Sequence, residues 1–383
     1  MTAGDWSVPE TEVMSAIAAS LDGRPAVLAT VVGVEGSAYR RPGAKMLITD
    51  DSDGFGSITA GCLEDEVLSL AREVLVDDRP RLERFDLTGD DDVWGLGVGC
   101  NGVIDVLLEP LDASYRAVTD AYERGDDVSV VTVLDADAAG VSRGDRTFGY
   151  PTGGSTAVTF EDADLPADLL DEFRTPAARL LEAGKSDAVT GTVGGEPVEV
   201  FVDSVTAPPE LAVFGDGHDV GPVAEMAARA DFRVTVVTFR GGAADGERFP
   251  AADRVVSTSP ADIREVLDVD RETYAVLMTH NFVDDRLALE ELLGTPMEYV
   301  GLMGPRGRFE EMREEFAAEG RTFTEAELDR VYTPAGLDLG GGTPLHIAQS
   351  IVAEVMAVHH GREPRHLSER AGPIHERSPV DTD

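Results

Sequence analysis

Cysteine, lysine and long apolar runs are all scarce in this chain. Only two cysteines, Cys62 and Cys100, occur in 383 residues, which excludes a disulfide-stapled scaffold and the paired-cysteine spacing of a structural zinc site. Lys45 and Lys185 are the only lysines, so arginine supplies nearly all of the 32 basic residues set against 73 acidic ones. At a formal net charge of -41 the surface repels nucleic acid and anionic membranes, and neither is an expected partner. The apolar stretches, such as residues 26–34, fall well short of the roughly 20 residues that a membrane-spanning helix needs. The opening MTAGDWSVPETEV has neither a basic segment nor an apolar signal core, so a cytoplasmic location is expected.

The 42% of hydrophobic residues is enough for ordinary packed cores, and the length suits two or three domains. Most of the acids read as solvated surface. In dilute buffer their mutual repulsion opposes compaction, whereas at 1 M salt the screening length falls to about 3 Å. Composition therefore points to a halophilic, high-salt cytoplasm.

Pattern separates two halves, with DSVTAPPE as the linker candidate. The expected domains are an N-terminal α+β domain over residues 1–203, a linker at 204–210, a Rossmann-like domain over 211–362 and a polar tail at 363–383. The first half mixes helices (Glu10 to Leu21, Leu63 to Leu75, Ala167 to Ala183) with strands such as AVLATVVGV, AKMLIT and VIDVLLEP. No internal repeat is evident in it. The second half alternates strand and helix from LAVF to the last helix, which predicts an α/β fold with a doubly wound parallel sheet.

FGDGHDVG follows a predicted strand and opens a helix, the setting in which glycines let backbone amides approach a phosphate. Gly215 and Gly217 take the first two positions of the dinucleotide fingerprint, His218 lies beside them, and the third position falls on Val220 with Gly221 one step late. A purely structural turn is the alternative. An NAD site also wants an acid at the end of the second strand. Here that strand ends Thr238, Phe239, Arg240, so Arg240 suits a phosphate, as in NADP. Further strand ends carry His280 after YAVLM, Arg306 after YVGLM, and Thr343 as the expected N-cap of the last helix, whose Ile347, Ala348, Ile351, Val352 and Val355 read as core.

Cys62 precedes a helix, which places its sulfur near unpaired amides, while Glu64, Asp65 and Glu66 oppose a thiolate. Cys100 sits in GLGVGCNG, a run permissive enough to wrap a ligand. Small cysteines packed against a core are the alternative for both. Arg40 and Arg41, in GSAYRRPG, are either an anion contact or local counter-ions. No H-E-x-x-H, G-x-S-x-G or complete phosphate-loop motif occurs, and His359 and His360 are expected to face different ways on one helix.

Taken in order, GSAYRRPGAKMLI, ITAGCLEDEV, GCNGVIDVLLEP, FGDGHDVGPVAEMA, MTHNFVDD, YVGLMGPRGR and TPAGLDLGGGTPLHIAQSIVAE resemble the XdhC/CoxI family of accessory proteins. The resemblance spans both halves and implies a chaperone that binds the molybdenum cofactor (molybdopterin) and protects it while a cysteine desulfurase installs sulfur. The cofactor then passes to the apoenzyme of a molybdenum hydroxylase of the xanthine or carbon monoxide dehydrogenase type. It implies no turnover of its own, and a homo-oligomer is expected. Carried over by position, Cys62 and Cys100 would lie near the metal, Arg40 and Arg41 would meet the cofactor, and Gly215, Gly217 and His218 would form the nucleotide-type turn. Three places depart from the family pattern: Thr238 and Phe239 where an aspartate is usual, Pro305 for serine, and Leu345 and His346 for acids. An NAD(P)-dependent oxidoreductase with His280 as proton donor is the alternative function.

Overall fold

The computed structural model describes residues 6–50, 54–88, 101–136, 140–152, 157–161, 165–240, 246–270 and 272–371. Two compact units divide the chain, the first running to Ala207 and the second beginning at Pro208.

The first unit is built twice from one plan. Helix α1 (Glu10–Ser20), strands β1 (Ala26–Ser37), β2 (Lys45–Thr49) and β3 (Gly54–Gly56), helix α2 (Glu64–Asp77), and strands β4 (Arg81–Asp86) and β5 (Asn101–Pro110) form the first copy. Helix α3 (Arg116–Arg124), strands β6 (Val128–Ala136), β7 (Arg146–Pro151) and β8 (Val158–Glu161), helix α4 (Ala167–Glu182), and strands β9 (Asp187–Val193) and β10 (Glu196–Val205) repeat that order. The two antiparallel sheets run β3-β2-β1-β5-β4 and β8-β7-β6-β10-β9, the same topology. A repeat is therefore present where the sequence shows none, because strand order and burial recur without the residues recurring.

Strand alternation explains the layers. Along β1, Val27, Ala29 and Val31 join the core beneath α2; Leu28 and Val32 point the other way and pack with Val130, Leu134 and Phe201 of the second sheet. Both faces are covered, which is why β1 reads as a continuous apolar run. Between the sheets lie two buried ion pairs, Lys45 Nζ to Asp203 at 2.7 Å and Arg146 to Glu109 at 2.7 Å. They are counterparts. Lys45 and Arg146 each open the second strand of a copy, opposite Thr30 and Thr132, while Glu109 and Asp203 face Leu28 and Val130. Each copy thus lends one cation and one anion to the other. Gly43 and Gly144 repeat the exchange sterically, since a Cβ would meet Ser186 Oγ at 2.8 Å in one case and Pro80 Cγ at 2.7 Å in the other.

The second unit is a six-stranded parallel sheet. Strands β11 (Glu210–Phe214), β12 (Arg233–Thr238), β13 (Arg254–Ser257), β14 (Thr273–Leu277), β15 (Val300–Leu302) and β16 (Val331–Tyr332) stand in the order β13-β12-β11-β14-β15-β16. Helices α5 (Val220–Ala228) and α10 (Pro344–His359) cover one face. The other carries α6 (Ile263–Val266), α7 (Phe282–Leu293) and α8 (Arg306–Ala318), with α9 (Glu325–Leu328) following α8. This is the doubly wound order, with its switch point between β11 and β14. Helix α7 starts at Phe282 because Asn281 Oδ1 accepts from the amides of Val283 and Asp284 and so caps it.

Candidate functional site

The carboxyl edge of the parallel sheet gathers most of the residues singled out from the sequence. After β11 the chain turns at Gly215, whose φ is +156° and whose amide donates to Val237 O at 2.9 Å. A Cβ there would lie 2.6 Å from Met278 O, so the turn presses on the neighbouring strand end and only glycine fits. Val220, at the third position of the fingerprint, is fully buried, and Gly221 has open space around it. Close packing at this helix start thus comes from a valine side chain instead of a glycine.

Across the switch point His280 sits in the left-handed region at φ +58°, with Nε2 2.8 Å from Asp219 Oδ2. Gly217 lies between the two partners: a Cβ would be 2.4 Å from Asp219 Oδ1 and 3.7 Å from His280 Cδ2. His218 is exposed on the same turn. Arg248 reaches in from a short 3-10 turn, donating to Asp216 O at 2.6 Å and lying over the Phe249 ring. Arg240 is exposed at the end of β12, Arg306 at the start of α8, and Thr343 caps α10 by accepting from the His346 amide at 3.3 Å. Asp219 and Arg248 escaped the sequence reading, for their partners lie 61 and 32 residues away.

A buried truss fixes these strand ends. Asp285 on α7 is fully buried; it accepts from the Thr279 hydroxyl at 2.6 Å and pairs with Arg308 of α8, also at 2.6 Å. Arg308 in turn donates to Met303 O at the end of β15. One carboxylate thereby ties together the residues following β14 and β15. An acid in the first helical turn that falls on a core-facing position is the signal that could have revealed it.

In the first unit Cys62 is a partly buried thiol packed against the core beneath α2, with Val34, Ala38 and Leu87. The expectation of unpaired amides around it is corrected. Thr59 Oγ1 accepts from the Cys62 and Leu63 amides at 3.1 and 3.3 Å, and the buried Glu64 carboxylate takes the Thr59 amide, the Thr59 hydroxyl at 2.5 Å and the Leu63 amide. Glu64 is an interior loop lock, not solvated surface. At the same distance before the matching helix, α4, the second copy carries Leu165, so only the first copy bears a thiol here. Arg40 pairs with Glu10 of α1, a part-exposed local counter-ion contact, and Arg41 is exposed on the same loop. Cys100 lies outside the described residues.

His359 and His360 do not diverge as expected. The helix ends at His359, and the His360 ring stands 4.8 Å from it. His359 Nδ1 meets the Tyr274 hydroxyl at 3.0 Å, and burial, with the neighbouring His360, holds its pKa below the ordinary histidine value.

These features suit a carrier of the molybdenum cofactor on chemical grounds. The glycine turn leads into the N-terminal end of α5, a setting that suits a phosphate, and in the first unit Cys62 is a soft donor. Among the described residues no group of three or more histidine, cysteine or acidic side chains could hold a metal ion. A molybdenum bound through the pterin's own dithiolene does not need one.

Fold and site together define a two-unit α/β protein whose second half is a doubly wound parallel module with a glycine turn at its switch point. Residues 19–86 match the XdhC and CoxI family and residues 211–355 match the XdhC Rossmann domain. The chain belongs to the XdhC/CoxI family. It is 29% identical over 340 residues to a probable xanthine dehydrogenase component of Bacillus subtilis, covering 88% of this chain and 93% of that one. A molybdenum cofactor insertion chaperone of Escherichia coli, PaoD, is 32% identical over 116 residues, 28% of this chain and 36% of that protein. The crystal structure of a xanthine dehydrogenase from Bacillus halodurans superposes with a TM-score of 0.72 at 28% identity, covering 92% of this chain and 96% of that one.

Proposed function

We propose that this protein is a maturation factor that binds the molybdenum cofactor, shields it while a cysteine desulfurase adds the terminal sulfur, and passes it to a hydroxylase of the xanthine dehydrogenase type. The observation that carries this reading is the glycine turn between β11 and α5, which sets Gly215 against Met278 O where no side chain fits and leads into the N-terminal end of α5, where backbone amides favour a phosphate. It is joined to family membership and to the name of the E. coli relative.

In this reading Gly215 shapes the turn, its amide taken by Val237 O, Gly217 and His218 meet the phosphate, and Arg240, His280, Arg306 and Thr343 are further polar contacts along the same sheet edge. As a separate proposal for the first unit, Cys62 and Cys100 would serve as thiols toward sulfur or metal, and Arg40 and Arg41 as contacts to anionic groups. The Thr59 and Glu64 lock keeps the Cys62 backbone from shifting when a ligand arrives. The bound cofactor would supply oxygen-transfer chemistry only after it reaches the client enzyme. This chain binds, orients and excludes water.

The test is transfer. Protein loaded with sulfurated cofactor, mixed with the hydroxylase apoenzyme, should restore hydroxylase activity, and Cys62→Ser should restore less while remaining folded. No restoration by the wild type would overturn the proposal.

One observation favours a second reading, an NAD(P)-dependent oxidoreductase: His280 is held by Asp219 beside the glycine turn, as a proton donor would be. Consumption of NADPH with a small carbonyl compound would support it, and the absence of any turnover would remove it.

A further inference from the structure

We infer that the second unit selects a nucleotide carrying a phosphate on its ribose, the class to which NADPH and 2′,5′-ADP belong. The discrimination comes from side chains at the end of β12 and on the short 3-10 element that follows it, not from the helix end. A plain ribose is held in folds of this order by a carboxylate at the tip of the second strand, which accepts from two hydroxyls. Here Thr238 is fully buried, its hydroxyl 3.4 Å from Arg240 O and 3.5 Å from Val256 O. Phe239 turns inward, its ring 5.9 Å from that of Phe214 and packed on the core. Neither residue can receive a hydroxyl from solvent, and the next residue, exposed, is Arg240.

A second guanidinium reaches the turn from the short 3-10 element Gly246–Arg248. Arg248 is fixed by Asp216 O at 2.6 Å and by the Phe249 ring at 5.3 Å, and it is exposed. The amide of Gly215 is bonded to Val237 O, so the turn and the end of β12 are adjacent. Two arginines therefore flank the place where a ribose would rest, in a chain with fewer than half as many basic as acidic residues. The acids on the turn oppose a phosphate. Asp219 is engaged by His280, whereas the Asp216 carboxylate adds a negative charge that the guanidinium groups must outweigh. Guanidinium forks bind a phosphate in a paired geometry that unmodified ribose cannot exploit.

The inference rests on the proposed phosphate role of the turn, not on the identity of the cofactor. Its test is a titration of the full-length protein in 1 M KCl with four probes: 2′,5′-ADP, 5′-AMP, NADPH and NADH. In each pair the 2′-phosphorylated ligand should bind about tenfold tighter or more. Arg240→Ala and Arg248→Ala should each cut that ratio several-fold, with melting curves showing that both variants fold. Equal affinity within the pairs, a ratio that survives both substitutions, or no binding by any probe would overturn the inference. None of those results touches the carrier reading, which is judged by molybdenum and pterin content.

Discussion

Lys45 carries the sharpest consequence at the scale of single residues. Burial alone would lower its pKa, but the Asp203 carboxylate, with Tyr115 and Glu109, reverses the shift and raises it. A raised lysine stabilises the fold fully below its unfolded pKa near 10.4, and that contribution is lost only as pH climbs through the higher folded value. The pair therefore holds the two sheets together at any pH near neutrality. Lys45→Met strands Asp203 as a lone buried charge and should cost about 3–5 kcal/mol in denaturant unfolding, while Lys45→Met with Asp203→Leu should recover most of it. Its counterpart behaves differently with pH. Burial raises the Glu109 carboxyl, against the pull of Arg146, so the unfolded chain ionises first and stability falls as pH rises from about 4.3 through the folded pKa.

Glu64 and Gly215 are the other single positions that decide a loop. Glu64→Ala removes three hydrogen bonds to Thr59 and Leu63 and should destabilise by about 2–3 kcal/mol, with faster labelling of Cys62 by a thiol reagent. Unchanged labelling would show that the lock does not position the cysteine. Gly215→Ala meets Met278 O and a positive φ, at a cost of about 1–3 kcal/mol. The glycine was legible as a turn residue in the sequence, because its chemistry is local. The burial of Glu64 was not, since nothing in EDE distinguishes an acid that folds back onto its own loop from two that face water.

Among elements, the short helix α9 depends on its cap. Thr324 and Glu327 form a complete capping box, and the Thr324 amide, the Arg321 guanidinium and the Thr324 hydroxyl together lower the Glu327 carboxyl to about 2. A depressed carboxylate contributes stability above its unfolded pKa, near 4.3, and loses it as pH falls toward 2. Thr324→Ala should cost about 1 kcal/mol and move the Glu327 titration, read by NMR, back toward ordinary values. Several elements were visible as apolar runs: AVLATVVGV and VIDVLLEP are strands that are buried along most of their length. The duplicated plan of the first unit was hidden. It is written in strand order and in reciprocal contacts such as Lys45 to Asp203 and Arg146 to Glu109, which pair residues 158 and 37 positions apart.

For the whole molecule, charge dominates. No helix among the described residues is long and apolar enough to cross a membrane. A net charge of -41 predicts that the unfolding midpoint climbs steeply as KCl rises toward molar concentrations, since screening relieves repulsion felt most in the compact state. A flat profile would remove the case for a high-salt working environment. The doubly wound module could be read from strand and helix alternation alone, whereas its site could be read only in part: the glycines are local, but the partners of His280 and of Asp216 lie 61 and 32 residues away.

Metal and pterin analysis of the protein, produced alongside an active cofactor pathway and purified without oxygen in molar salt, bears most directly on the central claim. Molybdenum and pterin should co-purify in equal amount with the folded chain, and both should fall in Gly215→Ala. Wild-type protein that is folded, saturable by neither, and free of both would contradict it.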